Sequence, residues 1–416
     1  MSETTQTTLN SNDIRIMISA GEISGDMYGA ALIRELRRIL ADAPQNSEAQ
    51  AESAQHLRNK QLEVFGIGGD RLRAENAELF AHASETGVMG FWEVIKRYRF
   101  FSRLLKTMTG LLDSRRPDLL LTIDYPGFNL RLAAEAKKRG IPTVHFICPQ
   151  VWAWHKSRIP KIARIFDKLL CIFPFEPALF DGTGLDAAFC GHPLPEQIAE
   201  SLALSEQSPQ ESLWDADDTP CHRIALLPGS RANEIARILP IQLEAAVMLE
   251  KRIGKCAFTI PAPSPKAARC IAEQLPKITL KPSRLKVIEG NSRRIMKEAD
   301  AAAIKSGTST LEACILLCPS VIVYRMSAFS AFMIRQLATN LRFVGLPNIL
   351  AKKQICRELI QSDLTAPALA AELEKILTDS NYRETMLSEM RTVNAGLCGD
   401  SATPRASNEI AKLLHK

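Results

Sequence analysis

Twice along the chain a short apolar run stops on a small-residue turn and passes into an amphipathic helical pattern. Ile14-Arg15-Ile16-Met17-Ile18 runs into Ser19-Ala20-Gly21-Glu22-Ile23-Ser24-Gly25-Asp26, then into a helix carrying Ala30, Leu32, Ile33 and Leu36. Ile224-Ala225-Leu226-Leu227 runs into Pro228-Gly229-Ser230-Arg231-Ala232-Asn233-Glu234, then into a helix over 238–249. Each is the opening strand–helix unit of a doubly wound sheet. Strand-like runs follow at 62–65, 119–123, 142–147, 169–172 and 187–190 in the first half, and at 257–260, 285–288, 301–304 and 321–324 in the second. Strands alternating with helices in both halves predict an α/β protein of two Rossmann-like parallel-sheet domains. The expected boundaries are 13–200, 221–368, and a helical tail over 369–416 that packs back towards the first domain. A length of 416 residues accommodates this.

Composition excludes more than it selects. Hydrophobic residues make up 46 % and charged residues 24 %, which is ordinary globular usage. A net charge of +6 without a local cluster gives no case for nucleic acid. Residues 1–12 are polar and lack a signal-peptide core, and no apolar run approaches the roughly 18 residues of a spanning helix. The ten cysteines are scattered, without CxxC or zinc spacing, as expected of buried thiols in a reducing cytoplasm. Residues 41–60 and 201–219 are polar and read as an insertion and a linker. Asp215-Ala216-Asp217-Asp218 matches the DxD of metal-dependent sugar transferases, but no apolar strand precedes it, so it gives no reason to expect a metal.

Ligand sites of open α/β sheets lie at the carboxyl ends of strands. Asp124, in Asp124-Tyr125-Pro126-Gly127-Phe128-Asn129, occupies such an end and can be a general base; it can equally cap a turn. Ile304-Lys305-Ser306-Gly307-Thr308-Ser309-Thr310-Leu311-Glu312 carries a strand through a small-residue turn into a helix, the pattern of a phosphate site, with Glu312 one turn further on in reach of a ribose. The plainer alternative is an ordinary capped helix with an exposed Glu. The turn at Ser230 and Arg231 is a second anion candidate. A donor nucleotide in one domain and a carboxylate in the other would make a glycosyl-transfer scheme. Gly345-Leu346-Pro347-Asn348-Ile349-Leu350 reads as an apolar loop with one polar residue. Trp152 and Trp154, beside a strand end, suit a sugar or acyl platform or simple core packing. Over 91–112, Phe91, Val94, Ile95, Tyr98, Phe101, Leu105, Met108 and Leu112 recur at helical spacing. Lys96, Arg97, Arg99, Arg103 and Lys106 fill other positions. Such a helix lies on an anionic membrane, or packs on a core with a solvated basic side.

The runs AGEISGDMYGAALIRELR, VMGFWEVIKR, IDYPGFN, CPQVWAW, LLPGSRANE, SGTSTLE and LPNILA stand in the order found in lipid-A-disaccharide synthases, and from about residue 14 to 416 the chain resembles that family. The resemblance implies a GT-B glycosyltransferase of family 19, with two domains facing a cleft. It implies joining of UDP-2,3-diacylglucosamine to 2,3-diacylglucosamine 1-phosphate, with inversion and release of UDP, to give the β-1,6 lipid A disaccharide. It implies no metal or other cofactor, a peripheral place on the cytoplasmic face of the inner membrane, and room for a homodimer. By motif position, Asp124 would be the base for the acceptor 6-hydroxyl, with Glu22 and Arg231 linked to activity. Ser230, Arg231, Ser306, Gly307, Thr308, Glu312 and Asn348 would hold the UDP donor. Phe91, Trp92, Ile95, Tyr98 and Arg99 would meet membrane and acyl chains. Three departures stand out: Gly127 replaces a second acidic residue, the Asp expected after Gly191-His192-Pro193 is absent with Glu196 nearby, and Lys305 precedes the Ser-Gly-Thr turn where a small residue is common. A lipid II-type transferase, a UDP-sugar 2-epimerase and a non-catalytic membrane-peripheral binding protein are the alternatives.

Overall fold

The computed structural model describes residues 13–41, 61–86, 98–152, 156–206, 212–214, 221–326, 342–397 and 402–414. The chain divides into two compact units, residues 1–193 with 400–416, and residues 194–399.

The first unit is built on strands β1 (Ile14–Ala20), β2 (Leu62–Gly68), β3 (Glu78–His82), β4 (Leu119–Ile123), β5 (Thr143–Phe146), β6 (Lys168–Cys171) and β7 (Asp186–Phe189), paired in parallel in the order β3-β2-β1-β4-β5-β6-β7. Every residue of β4 is buried, as a parallel strand covered on both faces requires. The helices used below are α1 (Ile23–Ala41), α2 (Asp70–Ala74), α3 (Tyr98–Arg115) and α4 (Pro126–Lys138). Gly66, inside β2, has a steric cause. A Cβ on Gly66, at φ +145°, would lie 2.0 Å from the Ile18 carbonyl oxygen. Asp26 in α1 accepts the N–H groups of Gly69, Arg71 and Leu72 at 2.6, 3.0 and 3.0 Å, capping α2, so the last residue of the AGEISGD run serves the fold.

In the second unit β8 (His222–Leu227), β9 (Cys256–Ala262), β10 (Leu285–Glu289), β11 (Ala301–Lys305), β12 (Ser320–Tyr324) and β13 (Glu358–Ile360) pair in parallel in the order β10-β9-β8-β11-β12-β13. Around them lie α5 (Leu194–Glu206), α6 (Ala232–Ile253), α7 (Ser292–Glu298), α8 (Thr308–Ile315), α9 (Leu346–Ala351), α10 (Ala366–Thr378) and α11 (Ser380–Gly396). The last helix, α12 (Ala402–Leu414), is part of the first unit, where Ser407 Oγ donates to the Leu32 carbonyl at 3.3 Å. Glu409 of α12 pairs with Lys168, which is also 2.8 Å from Asp186.

Three sequence expectations change, and one that offered two alternatives is narrowed. Strands β3 and β13 were not anticipated. Residues 201–206, read as linker, are the end of the helix Leu194–Glu206, and Leu213 and Trp214 are buried in the second unit's core, with Trp214 Nε1 donating to Glu298 Oε2 at 3.0 Å. Residues 346–351 form a short helix, started by Pro347 in its first turn, rather than a loop. In α3, Leu104, Met108 and Leu112 are buried in the core of the first unit, while Tyr98, Arg99, Arg103 and Lys106 are exposed. The described part of that helix is therefore core-facing with a solvated basic side. Phe91, Trp92, Ile95, Trp154, His155, residues 42–60 and Asp215 to Asp218 lie outside the described residues.

Candidate active site

In each sheet one adjacent pair of strands marks the point where the winding reverses: β1 and β4 in the first unit, β8 and β11 in the second. Loops leaving the carboxyl ends of such a pair splay apart and leave room for a ligand. All three residues singled out as catalytic lie within four residues of the carboxyl end of one of these four strands.

Glu22 follows β1 and Asp124 follows β4. Asp124 and Tyr125 both adopt left-handed backbone, at φ 46° and 49°. Each such residue costs roughly 1–2 kcal/mol, so the surroundings must hold the turn. They do so from several sides. The Asp124 N–H donates to the Phe146 carbonyl at 3.0 Å. Asn129, fully buried, donates Nδ2 to the carbonyls of Asp124 at 2.7 Å and of Ile123 and Ser19 at 3.2 Å, while its Oδ1 accepts from Ser19 Oγ at 2.6 Å. The Tyr125 hydroxyl donates to the Thr86 carbonyl at 3.0 Å, and Thr86 Oγ1 donates to the Gly21 carbonyl at 2.7 Å. The Tyr125 ring lies so close over Gly21 that a Cβ there would sit 2.5 Å from it. Glu22 and Asp124 are thus held by one network. Burial raises the pKa of Asp124, against a hydrogen bond from the Tyr125 N–H. Burial, then the negative charge of Asp124, raises that of Glu22. A carboxylate whose pKa is raised by burial, on a strained turn, is suited to accept a proton.

The second unit places cations and N–H groups at the equivalent point. The turn 228–231 leaves β8 and the turn 306–307 leaves β11, and these strands pair with Leu227 opposite Ile304. Each turn feeds a helix N-terminus, α6 and α8. Arg231 is the N-cap residue of α6, with most of its side chain exposed. Glu234, not singled out from the sequence, ties the turns together. It accepts the Ser230 N–H at 3.3 Å, pairs with Arg231 at 3.4 Å, and forms a 2.9 Å ion pair with Lys305. The left-handed Gly229 leaves it room: a Cβ there would meet Glu234 Oε2 at 2.6 Å. A Glu in a helix's first turn reads as a solvated residue, so only the sequence distance to Lys305 hid this role. Gly307 and Thr308 are exposed at the head of α8, and Ser306 Oγ donates to the Val344 carbonyl at 3.0 Å.

Glu312 is held by Arg293 of α7, whose Nε and Nη2 both lie 2.9 Å from Oε1, while Nη1 donates to the Gln197 carbonyl at 2.9 Å. Asn348 is fully buried and its amide is used by the protein itself. Nδ2 donates to the Cys356 carbonyl at 2.7 Å and to Glu358 Oε1 at 2.8 Å, and Oδ1 accepts from the N–H groups of Ile355 and Cys356 at 2.8 and 2.9 Å. Glu358 in turn accepts the N–H groups of Val344 and Gly345. Asn348, with its amide hydrogen bonds made inside the protein, positions Ser306 through Glu358 and Val344. The position of Gly127 is open, with nothing within 4 Å of a Cβ built there.

Trp152 is part of an aromatic group, edge-on to Phe173 and Phe175 at 6.3 and 5.6 Å. Its Nε1 donates to Glu176 Oε1 at 3.3 Å. Among the described residues, Cys148, Cys171 and Glu176 are the three donors close enough together to suggest a metal. The buried Glu176, its pKa pushed up to about 7 by burial, already accepts the N–H groups of Ile172 and Phe173 and the indole. That is the donor set of a hydrogen-bonded turn.

Comparison with known proteins agrees over nearly the whole length. Residues 16–401 match the family model described as lipid-A-disaccharide synthetase. The chain is 35 % identical over 409 residues to a lipid-A-disaccharide synthase of Anaeromyxobacter dehalogenans, covering 96 % of this chain and 97 % of that one. It is 33 % identical over 404 residues to the enzyme of that name from Geobacter metallireducens, covering 97 % and 98 %. Solved structures share the fold at low identity: a MurG of Acinetobacter baumannii (TM-score 0.52, 13 % identical, 96 % and 99 % covered) and a Staphylococcus aureus MnaA–UDP structure (0.61, 13 %, 97 % and 97 %).

Proposed function

The chain belongs to the lipid-A-disaccharide synthetase family, and from that premise we propose that it joins a UDP-2,3-diacylglucosamine donor to a 2,3-diacylglucosamine 1-phosphate acceptor. The acceptor 6-hydroxyl oxygen attacks the donor's anomeric carbon, and Asp124 takes its proton. The bond from that carbon to the β-phosphate oxygen breaks, its electron pair leaves with UDP, and attack opposite the leaving group gives the β-1,6 linkage. Glu22 sets the charge around Asp124. The turns at Ser230–Arg231 and Ser306–Thr308 take the diphosphate, whose growing charge Arg231 and two helix N-termini stabilise. Glu312, with Arg293 confined to one oxygen, offers the other to the ribose. The observation that carries the reading is Asp124 itself, raised in pKa on a strained and braced turn at the sheet's switch point.

Mass-spectrometric identification of the product from the two acylated sugars tests the reaction. Asp124→Ala is expected to abolish transfer and leave UDP binding intact; full activity in that variant overturns the assignment of the base. We also place the protein at a membrane surface on the cytoplasmic side. Support comes from the exposed Tyr98, Arg99, Arg103 and Lys106 of α3 and from nine described cysteines that are all free. Among the described residues no helix is long and apolar enough to cross a membrane. Replacing Arg99, Arg103 and Lys106 by Ser should weaken binding to anionic vesicles at low salt. Equal binding by the variant counts against the surface.

A further inference from the structure

Lys305 ends β11, directly before the Ser306–Gly307 turn. Its side chain is mostly buried, and its ammonium does not point away from the turn: a Cβ built on Gly307 would lie 3.9 Å from Nζ. Two fixed groups hold it there. Glu234 Oε1 is 2.9 Å from Nζ, and the Tyr324 ring centroid is 5.4 Å from it. The same Glu234 carboxylate accepts the Ser230 N–H of the neighbouring turn. One carboxylate therefore sets the spacing between the cation of one turn and the backbone donor of the other. An ammonium has three donors, of which this pair uses one.

We propose that Lys305 is a ligand of the donor's diphosphate, held in place by Glu234, so that the two turns work as a single anion site. The inference rests on the donor reading given above and deepens it. Arg231 and Lys305 supply two positive charges against one negative on Glu234. The net positive charge, together with two helix N-termini, opposes the charge that collects on the β-phosphate as the bond to the sugar breaks.

The test compares UDP, UMP and uridine binding by calorimetry in wild type, Lys305→Met, Lys305→Arg and Glu234→Gln. Lys305→Met keeps the stem and removes the charge. It should weaken UDP by roughly 10- to 100-fold, the worth of a charge-assisted contact, and leave uridine unchanged. Lys305→Arg should recover most of the loss. Glu234→Gln should also weaken UDP more than uridine, because it loosens the ammonium. Unchanged UDP affinity in Lys305→Met overturns the proposal, and so does a parallel loss of UDP and uridine, which would mark a structural residue. Wild-type protein that binds no UDP overturns the donor reading, and this inference with it.

Discussion

The two units put opposite chemistry at the same topological address. At the β1/β4 switch point stand two carboxyl groups, Glu22 and Asp124, both raised in pKa mainly by burial. At the β8/β11 switch point stand two cations, Arg231 and Lys305, arranged around Glu234. The bracing differs as well. In the first unit neutral groups, Asn129, Tyr125 and Thr86, hold the backbone, and burial of the Asp124 carboxyl group outweighs its hydrogen bond from the Tyr125 N–H. In the second, Glu234 holds the Lys305 side chain through an ion pair and the Ser230 N–H through a hydrogen bond. A proton acceptor needs a destabilised charge, and an anion site needs a stabilised one. The same fold delivers either, depending on what the two loops carry.

That contrast breaks most visibly at Asp124. Asp124→Asn keeps a residue type that tolerates left-handed backbone. It should lower transfer by about 10²- to 10⁴-fold, the usual contribution of a general base, without changing UDP affinity. The wild-type rate should fall with falling pH through a pKa above the ordinary Asp range, since the base works ionised and burial raises its pKa. The same shift gives a stability signature. The folded protein prefers the protonated carboxyl, so Asp124→Asn should melt higher than wild type at pH 7, and the gap should close below the ordinary carboxylate range. A variant that loses activity and melts lower at pH 7 would mean that Asp124 is structural.

The second unit should respond to loss of its bracing. Asn348→Ala strands the N–H groups of Ile355 and Cys356, and should lower unfolding free energy by about 2–4 kcal/mol in urea titrations. A variant as stable as wild type would break the positioning role. Arg293→Met should raise the donor's KM about tenfold with little change in kcat, because Glu312 loses its orientation before any chemistry begins. An unchanged KM would remove Glu312 from the ribose. Smallest of all, Gly127→Asp enters open space. It should shift stability by less than about 0.5 kcal/mol, and kinetics with it will show whether one extra carboxylate near Asp124 matters.

Interior strands were legible because a parallel strand covered on both faces is mainly apolar, as in Leu119 to Leu121 of β4 and Ile224 to Leu227 of β8. The strands that escaped are both sheet edges. Glu78–His82 has two exposed residues and one buried residue, Ala81, and Glu358–Ile360 is only three residues long. With a single neighbour each, they need less hydrophobic sequence. Asp124 and Arg231 could be found because a strand end is a local feature. Glu234 and Arg293 could not, since their partners lie 71 and 19 positions away and a charged helix residue looks like solvent-facing surface. The hydrogen bonds of Asn348 were not legible in the sequence either. The family resemblance linked this residue to UDP, whereas the structure shows its amide engaged by the backbone at Ile355 and Cys356 and by Glu358.

The docking of α12 on the first unit has a consequence for how the protein is made. Ser407 and its partner Leu32 are 375 positions apart. When the first seven strands have left the ribosome, α1 still lacks the helix that will cover part of it. The whole second unit must be synthesised first, which takes on the order of 10–40 s at typical elongation rates. Throughout that interval Lys168 has Asp186 but not Glu409. The second unit can fold as its segment emerges, whereas the first finishes last although it begins the chain.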